Sequence, residues 1–315
     1  MTMKAILIKK YGGPEVLEIA ELPEPKPAPN EVIVKVAATS VNPVDWLVRD
    51  GGAKSFVKVT FPVILGCDLA GTVVEVGADV KRLAVGDEVF AMMPHDWGAH
   101  AERVALDASL VVKKPKNLTM VEAASIPVVA MTAWFGLQKG APVAKGERVL
   151  VNGASTSVGL AAIQIAKAFG ATVTAVCGAA SFDLVKRLGA DRTIDYKTTD
   201  FTTLDDRWDR VLDCVGTKDA ASCARVLDGD LREYVTTKPG VGTFVRQFFN
   251  PLFGVKVHAL LTTGHGEELE RIRDLVDAGK LAPVIDKVYP FAEVEAAQEY
   301  SKTGRAKGKI VLSLE

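Results

Sequence analysis

Cysteine, net charge and long apolar runs are all scarce in this chain, and each scarcity removes a class of protein. The four cysteines, at 67, 177, 214 and 223, form no C-x-x-C pair in 315 residues. That argues against a disulfide-stapled secreted scaffold and leaves reduced, mostly buried thiols. Thirty-eight basic against thirty-nine acidic side chains give a net charge of -1 with no dense Lys/Arg block. Electrostatic attraction to nucleic acid or to an anionic membrane is therefore not indicated. The densest basic spot, Lys113, Lys114 and Lys116 around Pro115, reads as a solvated turn. No apolar run approaches the roughly 20 residues of a spanning helix, because Glu122 and Pro127 interrupt the best one. The N-terminus offers only Ala5 to Ile8 between Lys4 and the Lys9-Lys10 pair, too short for a secretory signal, so a cytoplasmic location is the default expectation.

What is present is a globular composition, 48% hydrophobic and 24% charged, of a length for one large domain or two. Residues 4–8 and 31–38 alternate apolar and polar as half-buried strands do, with the proline-rich loop PEPKPAPN between them at 23–30. Further short strands follow in VKVTFPVILG, GTVVEVG, GDEVFAM and AERVAL, so the first hundred residues predict an irregular β-rich barrel. From about 121 the texture changes: VEAASIPVVAMTAWFGLQ has helical spacing, and strands and helices then alternate. Strands are expected at 148–152, 172–177, 192–195, 210–214, 232–237 and 255–262, with helices at 158–169 and 182–188. This order implies an α/β fold with a doubly wound parallel sheet. Six strands complete such a sheet, so the tail (helix 267–279, strand 284–288, helix 292–302, strand 308–314) is assigned back to the first domain. The expected domains are 1–124, 125–263 and the returning 264–315.

The most informative segment runs from Gly146 to Gly178: strand, small-residue turn, helix and second strand within about 33 residues, the setting of a dinucleotide fingerprint. A pyrophosphate needs backbone N–H groups at a helix N-terminus and small residues that let it approach. Gly153, Ala154, Ser155, Thr156, Ser157, Val158 and Gly159 are the candidates. The pattern G-x-G-x-x-G is imperfect, with Ala154 and Thr156 in glycine positions; the alternative is an ordinary βα turn with no cofactor. Past the second strand, Gly178-Ala179-Ala180-Ser181 carries no carboxylate to hold a ribose 2′-hydroxyl, which favours NADPH. No Arg or Lys lies in that turn either, and Ser181, Lys186 and Tyr196 are the candidates for the extra phosphate.

With these residues in view, the sequence resembles the medium-chain dehydrogenase/reductase superfamily, in its zinc-free quinone oxidoreductase and alkenal/enone reductase branch. The resemblance is carried by SVNPVDW (40–46), LGCDLAGTVVEVG (65–77), VGDEVFA (85–91), EAASIPVVAMTAW (122–134), NGASTSVGLAAIQIAK (152–167), LGADRTIDY (188–196), LDCVG (212–216) and GRAKGKIVL (304–312). It implies a GroES-like substrate domain built from both chain ends, an inserted Rossmann domain, a cleft between them, and hydride transfer from NADPH to quinones or α,β-unsaturated carbonyls. It places Asn42 as a donor facing nicotinamide and substrate, and Thr132 at the nicotinamide ribose. Where zinc-dependent relatives have three metal ligands, the alignment puts Asn42, Cys67 and Val128, too few to hold zinc. His95 and His100 are weak metal candidates. The family's occasional tyrosine proton donor is replaced by Ala53, leaving water or a cofactor hydroxyl as the proton source.

Val215, Thr236 and Thr237 fall at the carboxyl ends of expected parallel strands, where such sheets bind ligands. Asp45 and Arg49, at i and i+4, read as a helical ion pair. Residues 239–254, rich in glycine and aromatics, read as a lid over an apolar substrate or as a packed loop. The expected partners are a small-molecule quinone or enone and a second copy of the chain. An enoyl-thioester reductase and a non-catalytic NADPH-binding protein are the competing functions.

Overall fold

The computed structural model describes residues 1–54, 58–93, 97–138, 141–248, 254–260, 262 and 264–314. Two units emerge, one comprising Met1–Val128, Thr263–Asp277 and Pro283–Glu315, the other Val129–Thr262 with Ala278–Ala282. The short return at 278–282 joins the second unit because the buried Gln164 amide clasps Ala282 from both sides. Gln164 Nε2 donates to the Ala282 carbonyl at 3.1 Å, and the Ala282 N–H donates to Gln164 Oε1 at 2.9 Å.

The first unit is β-rich. Its larger sheet runs in the order 285–290, 309–313, 31–41, 68–76, 88–92, 111–113, and the strand 103–107 also pairs with 31–41. A smaller sheet joins 2–8 to 18–23 and 63–64. Strand Glu31–Val41 is the hub, paired along both edges, and Val32, Ile33 and Val34 are all buried rather than alternating because both of its faces are covered there. The predicted strand in VKVTFPVILG shrinks to Val63–Ile64. Pro62, which has no N–H for a ladder, precedes the short strand. The strands at Glu18–Pro23 and Val111–Lys113 were not anticipated, whereas the helix Pro43–Arg49 covers the Asp45 and Arg49 positions expected to be helical. In that helix Pro43 takes a first-turn position, where no amide is needed.

The second unit is a six-stranded, all-parallel sheet in the order 192–195, 172–177, 148–152, 210–213, 233–236, 256–259. This is the doubly wound Rossmann arrangement, whose order reverses between 148–152 and 210–213. Helix Ser157–Ala168 buries Leu160, Ile163 and Ile165, and its contacts run to strands 148–152 and 172–177. The long helical pattern from 121 is two helices, Met120–Ala124 and Pro127–Gln138. Pro127 forces the break, and Thr119 with Glu122 closes the first helix in a reciprocal cap at 2.8 and 3.2 Å.

Candidate functional site

At the carboxyl edge of the parallel sheet, the loop after Asn152 turns back through Gly153, which has φ +77°. A β-carbon on Gly159 would meet the Gly153 carbonyl oxygen at 2.4 Å, so helix and loop touch only because this residue is glycine. The loop's donors are divided. Gly153 and Ala154 N–H both donate to the Val176 carbonyl, at 3.1 and 2.9 Å, and Thr156 N–H donates to the Gly153 carbonyl at 3.0 Å. Thr156 Oγ1 donates to that same carbonyl at 2.8 Å and accepts the Gly159 N–H at 3.1 Å. The Thr156 hydroxyl therefore caps its own helix, where the sequence suggested a phosphate ligand. Among the described residues, the amides of Ser155 and Val158 donate to no protein acceptor, and they stand in the first turn where a helix attracts an anion.

Val215 lies against Gly153, Thr236 ends the neighbouring strand and Thr237 follows it, so these three share the sheet edge with the loop. The sequence missed what holds them there. Asp213 Oδ1 accepts the N–H groups of Val215 and Gly216 at 3.1 and 3.0 Å and the Asn152 Nδ2 at 3.0 Å. Asp213 Oδ2 accepts the Tyr234 hydroxyl at 2.9 Å. The Thr236 hydroxyl is occupied by the Lys238 N–H, and Thr237 N–H by the Asp213 carbonyl.

Of the three 2′-phosphate candidates, Tyr196 is 61% exposed and stands beside Gly178. Ser181 is buried, and Lys186 is exposed in the last turn of helix Phe182–Arg187. Thr132 is half-buried on Pro127–Gln138. Residues 241–248 form a helix with Phe248 81% exposed, while 249–253, near the end of the expected lid, lie outside the described residues.

The first unit holds a second polar centre around Asn42, itself only 2% exposed. Asn42 Nδ2 donates to Asp68 Oδ2 at 2.9 Å, and Asn42 Oδ1 accepts from the Lys309 ammonium. Lys309 Nζ is also 3.0 Å from Asp68 Oδ2, and both side chains are buried. Asp68 further accepts the Ser40 hydroxyl and, on Oδ1, the Val128 N–H at 2.6 Å. Asp45 accepts the Asn42 N–H at 2.7 Å and the Gly66 N–H at 3.2 Å, with Cys67 Sγ at 4.0 Å. The expected Asp45–Arg49 pair is corrected: Arg49 turns to Asp50 and Glu299, at 2.8 and 3.1 Å, and to the Gln298 oxygen. Two backbone amides already satisfy Asp45, so it needs no cation. Burial raises the Asp45 pKa, with His100 opposing, and pushes the Cys67 thiol well above its usual range. Burial also lowers His100, which reaches the Ser40 carbonyl at 3.3 Å; His95 lies outside the described residues.

Zinc does not fit these residues. At the three aligned positions stand an amide whose oxygen already faces an ammonium, a thiol held protonated by burial, and Val128, whose side chain has no donor atom. Among the described residues no group of three or more His, Cys, Asp or Glu could hold a metal. A nicotinamide dinucleotide does fit the second unit, where two glycines make room and free amides face the turn. Lys309 and Asp68 fall within the segments GRAKGKIVL and LGCDLAGTVVEVG, and nothing in the sequence marks them as partners.

A Rossmann sheet with a diphosphate turn, in a chain whose other unit is a β-rich body carrying a buried polar centre, defines a dehydrogenase/reductase. Residues 28–116 match the alcohol dehydrogenase GroES-like domain family, and residues 188–312 match the zinc-binding dehydrogenase family. The chloroplast envelope quinone oxidoreductase homolog of Arabidopsis thaliana is 36% identical, covering 98% of each chain. The 2-methylene-furan-3-one reductase of Solanum lycopersicum is 36% identical over 98% of this chain and 79% of its own. The solved quinone oxidoreductase of Coxiella burnetii superposes with a TM-score of 0.89 at 29% identity over all of both chains. The chain belongs to the medium-chain dehydrogenase/reductase superfamily, in its quinone oxidoreductase branch, and is an oxidoreductase that uses a nicotinamide cofactor.

Proposed function

We propose that this chain reduces quinones or α,β-unsaturated carbonyl compounds with NADPH and without a catalytic metal. The observation that carries the metal-free reading is the Asn42 centre, where a protein ammonium rather than a vacant ligand set faces the amide oxygen. The preference for NADPH over NADH is supported by the Gly178–Ser181 turn, which presents no carboxylate to repel a 2′-phosphate, and by Tyr196 beside it. The full-length likeness to a quinone oxidoreductase homolog and to an enone reductase supports the substrate class.

Bound NADPH would supply hydride to the acceptor carbon. The chain's own part is to hold and to neutralise. The Ser155 and Val158 amides, with the N-terminal end of helix Ser157–Ala168, would meet the diphosphate charge. As hydride arrives at carbon, negative charge grows on the substrate oxygen, and an amide N–H of Asn42 is the donor assigned to it. One solvent proton then completes the reduction. Ala53, at the position of the family's tyrosine, carries no proton to give. The test is NADPH and NADH oxidation with 9,10-phenanthrenequinone, 1,4-benzoquinone and a panel of enals and enones. Turnover with NADPH exceeding that with NADH supports the reading. Tight NADPH binding with no turnover on any acceptor would show a non-catalytic binding protein instead.

A further inference from the structure

The amide of Asn42 has two ends, and in this protein each end meets a full charge. Its oxygen accepts from the Lys309 ammonium and its nitrogen donates to Asp68 Oδ2 at 2.9 Å. Turning the amide over would set NH₂ against NH₃⁺ and oxygen against carboxylate, so the two contacts together select one orientation. Lys309 and Asp68 also bind each other, at 3.0 Å, and close a triangle of amide, ammonium and carboxylate. The triangle is itself anchored, because Asp68 takes the Ser40 hydroxyl and the Val128 N–H, and lies on strand Asp68–Val76. Lys309 begins strand Lys309–Ser313, whose pairing with Thr39, Ser40 and Val41 brings a residue from the far end of the chain beside Asn42. One of the two Nδ2 hydrogens goes to Asp68. The other has no acceptor among the described residues.

We propose that Lys309 is the positioning residue of the Asn42 donor, an internal cation that locks the amide so that its second N–H is presented to the substrate oxygen. The ammonium acts through Asn42 and not on the substrate. Its charge on the amide oxygen also draws electron density from the nitrogen and strengthens that N–H as a donor. Asp68 completes the device by neutralising the ammonium and holding the first N–H, which leaves only one hydrogen to be offered. The proposal rests on the reading of this centre as the substrate end of a reductase, and it is tested by one measurement that needs turnover and one that does not.

In steady-state kinetics with NADPH and 9,10-phenanthrenequinone, Asn42→Ala is expected to lower kcat by roughly 10²-fold, the cost of one donor to a developing oxyanion. Lys309→Met is expected to lower kcat by roughly 10- to 100-fold through misplacement of that donor. The KM for NADPH stays unchanged in both. The double variant is no slower than Asn42→Ala alone, because a residue acting through Asn42 has nothing left to position. Losses that multiply in the double variant, or a wild-type kcat in Lys309→Met, overturn the proposal. Should Lys309→Met fail to fold with Asp68 unpaired, Lys309→Met/Asp68→Asn removes both charges and is read the same way.

Selective ¹⁵N-asparagine labelling reads the amide without any substrate. In the wild type the Asn42 Nδ2 hydrogens exchange slowly with solvent, and in Lys309→Met at least about tenfold faster, as a freed amide rotates and breathes. Equal exchange rates overturn the proposal even if the enzyme proves active. A protected amide released by Lys309→Met upholds the positioning, and absence of turnover in the wild type then counts against the reductase reading alone.

Discussion

Gly153 and Val215 are fitted to each other. A β-carbon on Gly153 would come within 2.5 Å of Val215 Cγ1, and the backbone there already has φ +77°. The first turn of the diphosphate loop and the loop after strand 210–213 can therefore close together only across a residue with no side chain.

Gly153→Ala is expected to bear two penalties at once. The left-handed backbone costs about 1–2 kcal/mol for alanine, and Val215 must move as well. Under the proposed function the displaced loop meets the coenzyme, and the dissociation constant for NADPH should then rise by about tenfold or more. Fluorescence titration measures it, and an unchanged constant would separate this loop from coenzyme binding.

Asp213 is the residue behind that fit. Asp213→Ala leaves the Val215 and Gly216 amides without the acceptor they share, while Asn152 keeps the Thr217 hydroxyl and the Tyr234 hydroxyl keeps the Lys218 carbonyl. A loss of about 3 kcal/mol in stability is expected from buried donors left unsatisfied. The KM for NADPH should rise with kcat less affected, since the carboxylate shapes the loop and touches no reacting atom. Urea unfolding together with coenzyme kinetics checks both parts.

Arg210 sits wholly buried between two carboxylates, 2.9 Å from Glu147 and 2.9 Å from Glu233, and donates to the Leu137 carbonyl at 2.7 Å. Arg210→Met strands two buried acids, and breaking such a group costs about 3–5 kcal/mol. Arg210→Met/Glu147→Gln/Glu233→Gln should recover much of that loss. Thermal unfolding of the two variants distinguishes a lost charge balance from lost packing.

Asp200 caps the turn Phe201–Thr203, and the Lys218 ammonium at 2.6 Å holds its pKa below the usual carboxylate value of 3.8. A depressed folded-state value means that the unfolded chain takes up the proton first as pH falls. The stabilisation is thus fully present above the unfolded value and is lost as pH drops through the folded one. The pair is partly exposed, so its worth is about 0–1 kcal/mol. Asp200→Asn should flatten the decline of stability below about pH 4, as measured by urea titration across pH 2.5 to 6; an identical slope would show that the carboxylate contributes nothing there.

How much of this was legible in the sequence depended on how local the information was. Strands 148–152, 172–177 and 192–195 lie where the residue pattern puts them, because each is a short run rich in β-branched residues bounded by turns. Gly153 and Gly159 were legible for the same reason. The strand Glu18–Pro23 was hidden because it lies at a sheet edge with four of its six residues exposed, which leaves little apolar signal. In sequence, a hydroxyl at the first turn of a helix serves a phosphate or its own backbone equally well, and the 3.1 Å bond from Gly159 shows that of Thr156 capping its helix. Lys309 with Asp68, and Arg210 with Glu147 and Glu233, were illegible as partners, since the sheets that join them bring together residues far apart in the chain.

The central claim is a nicotinamide reductase whose substrate end is organised by Asn42 and its charged neighbours instead of by a metal. Its most direct test is the rate of NADPH oxidation with 9,10-phenanthrenequinone before and after exhaustive dialysis against a zinc chelator. The account predicts substantial turnover that dialysis leaves unchanged and that Asn42→Ala lowers by roughly 10²-fold. Turnover that vanishes on dialysis and returns with added zinc would contradict it.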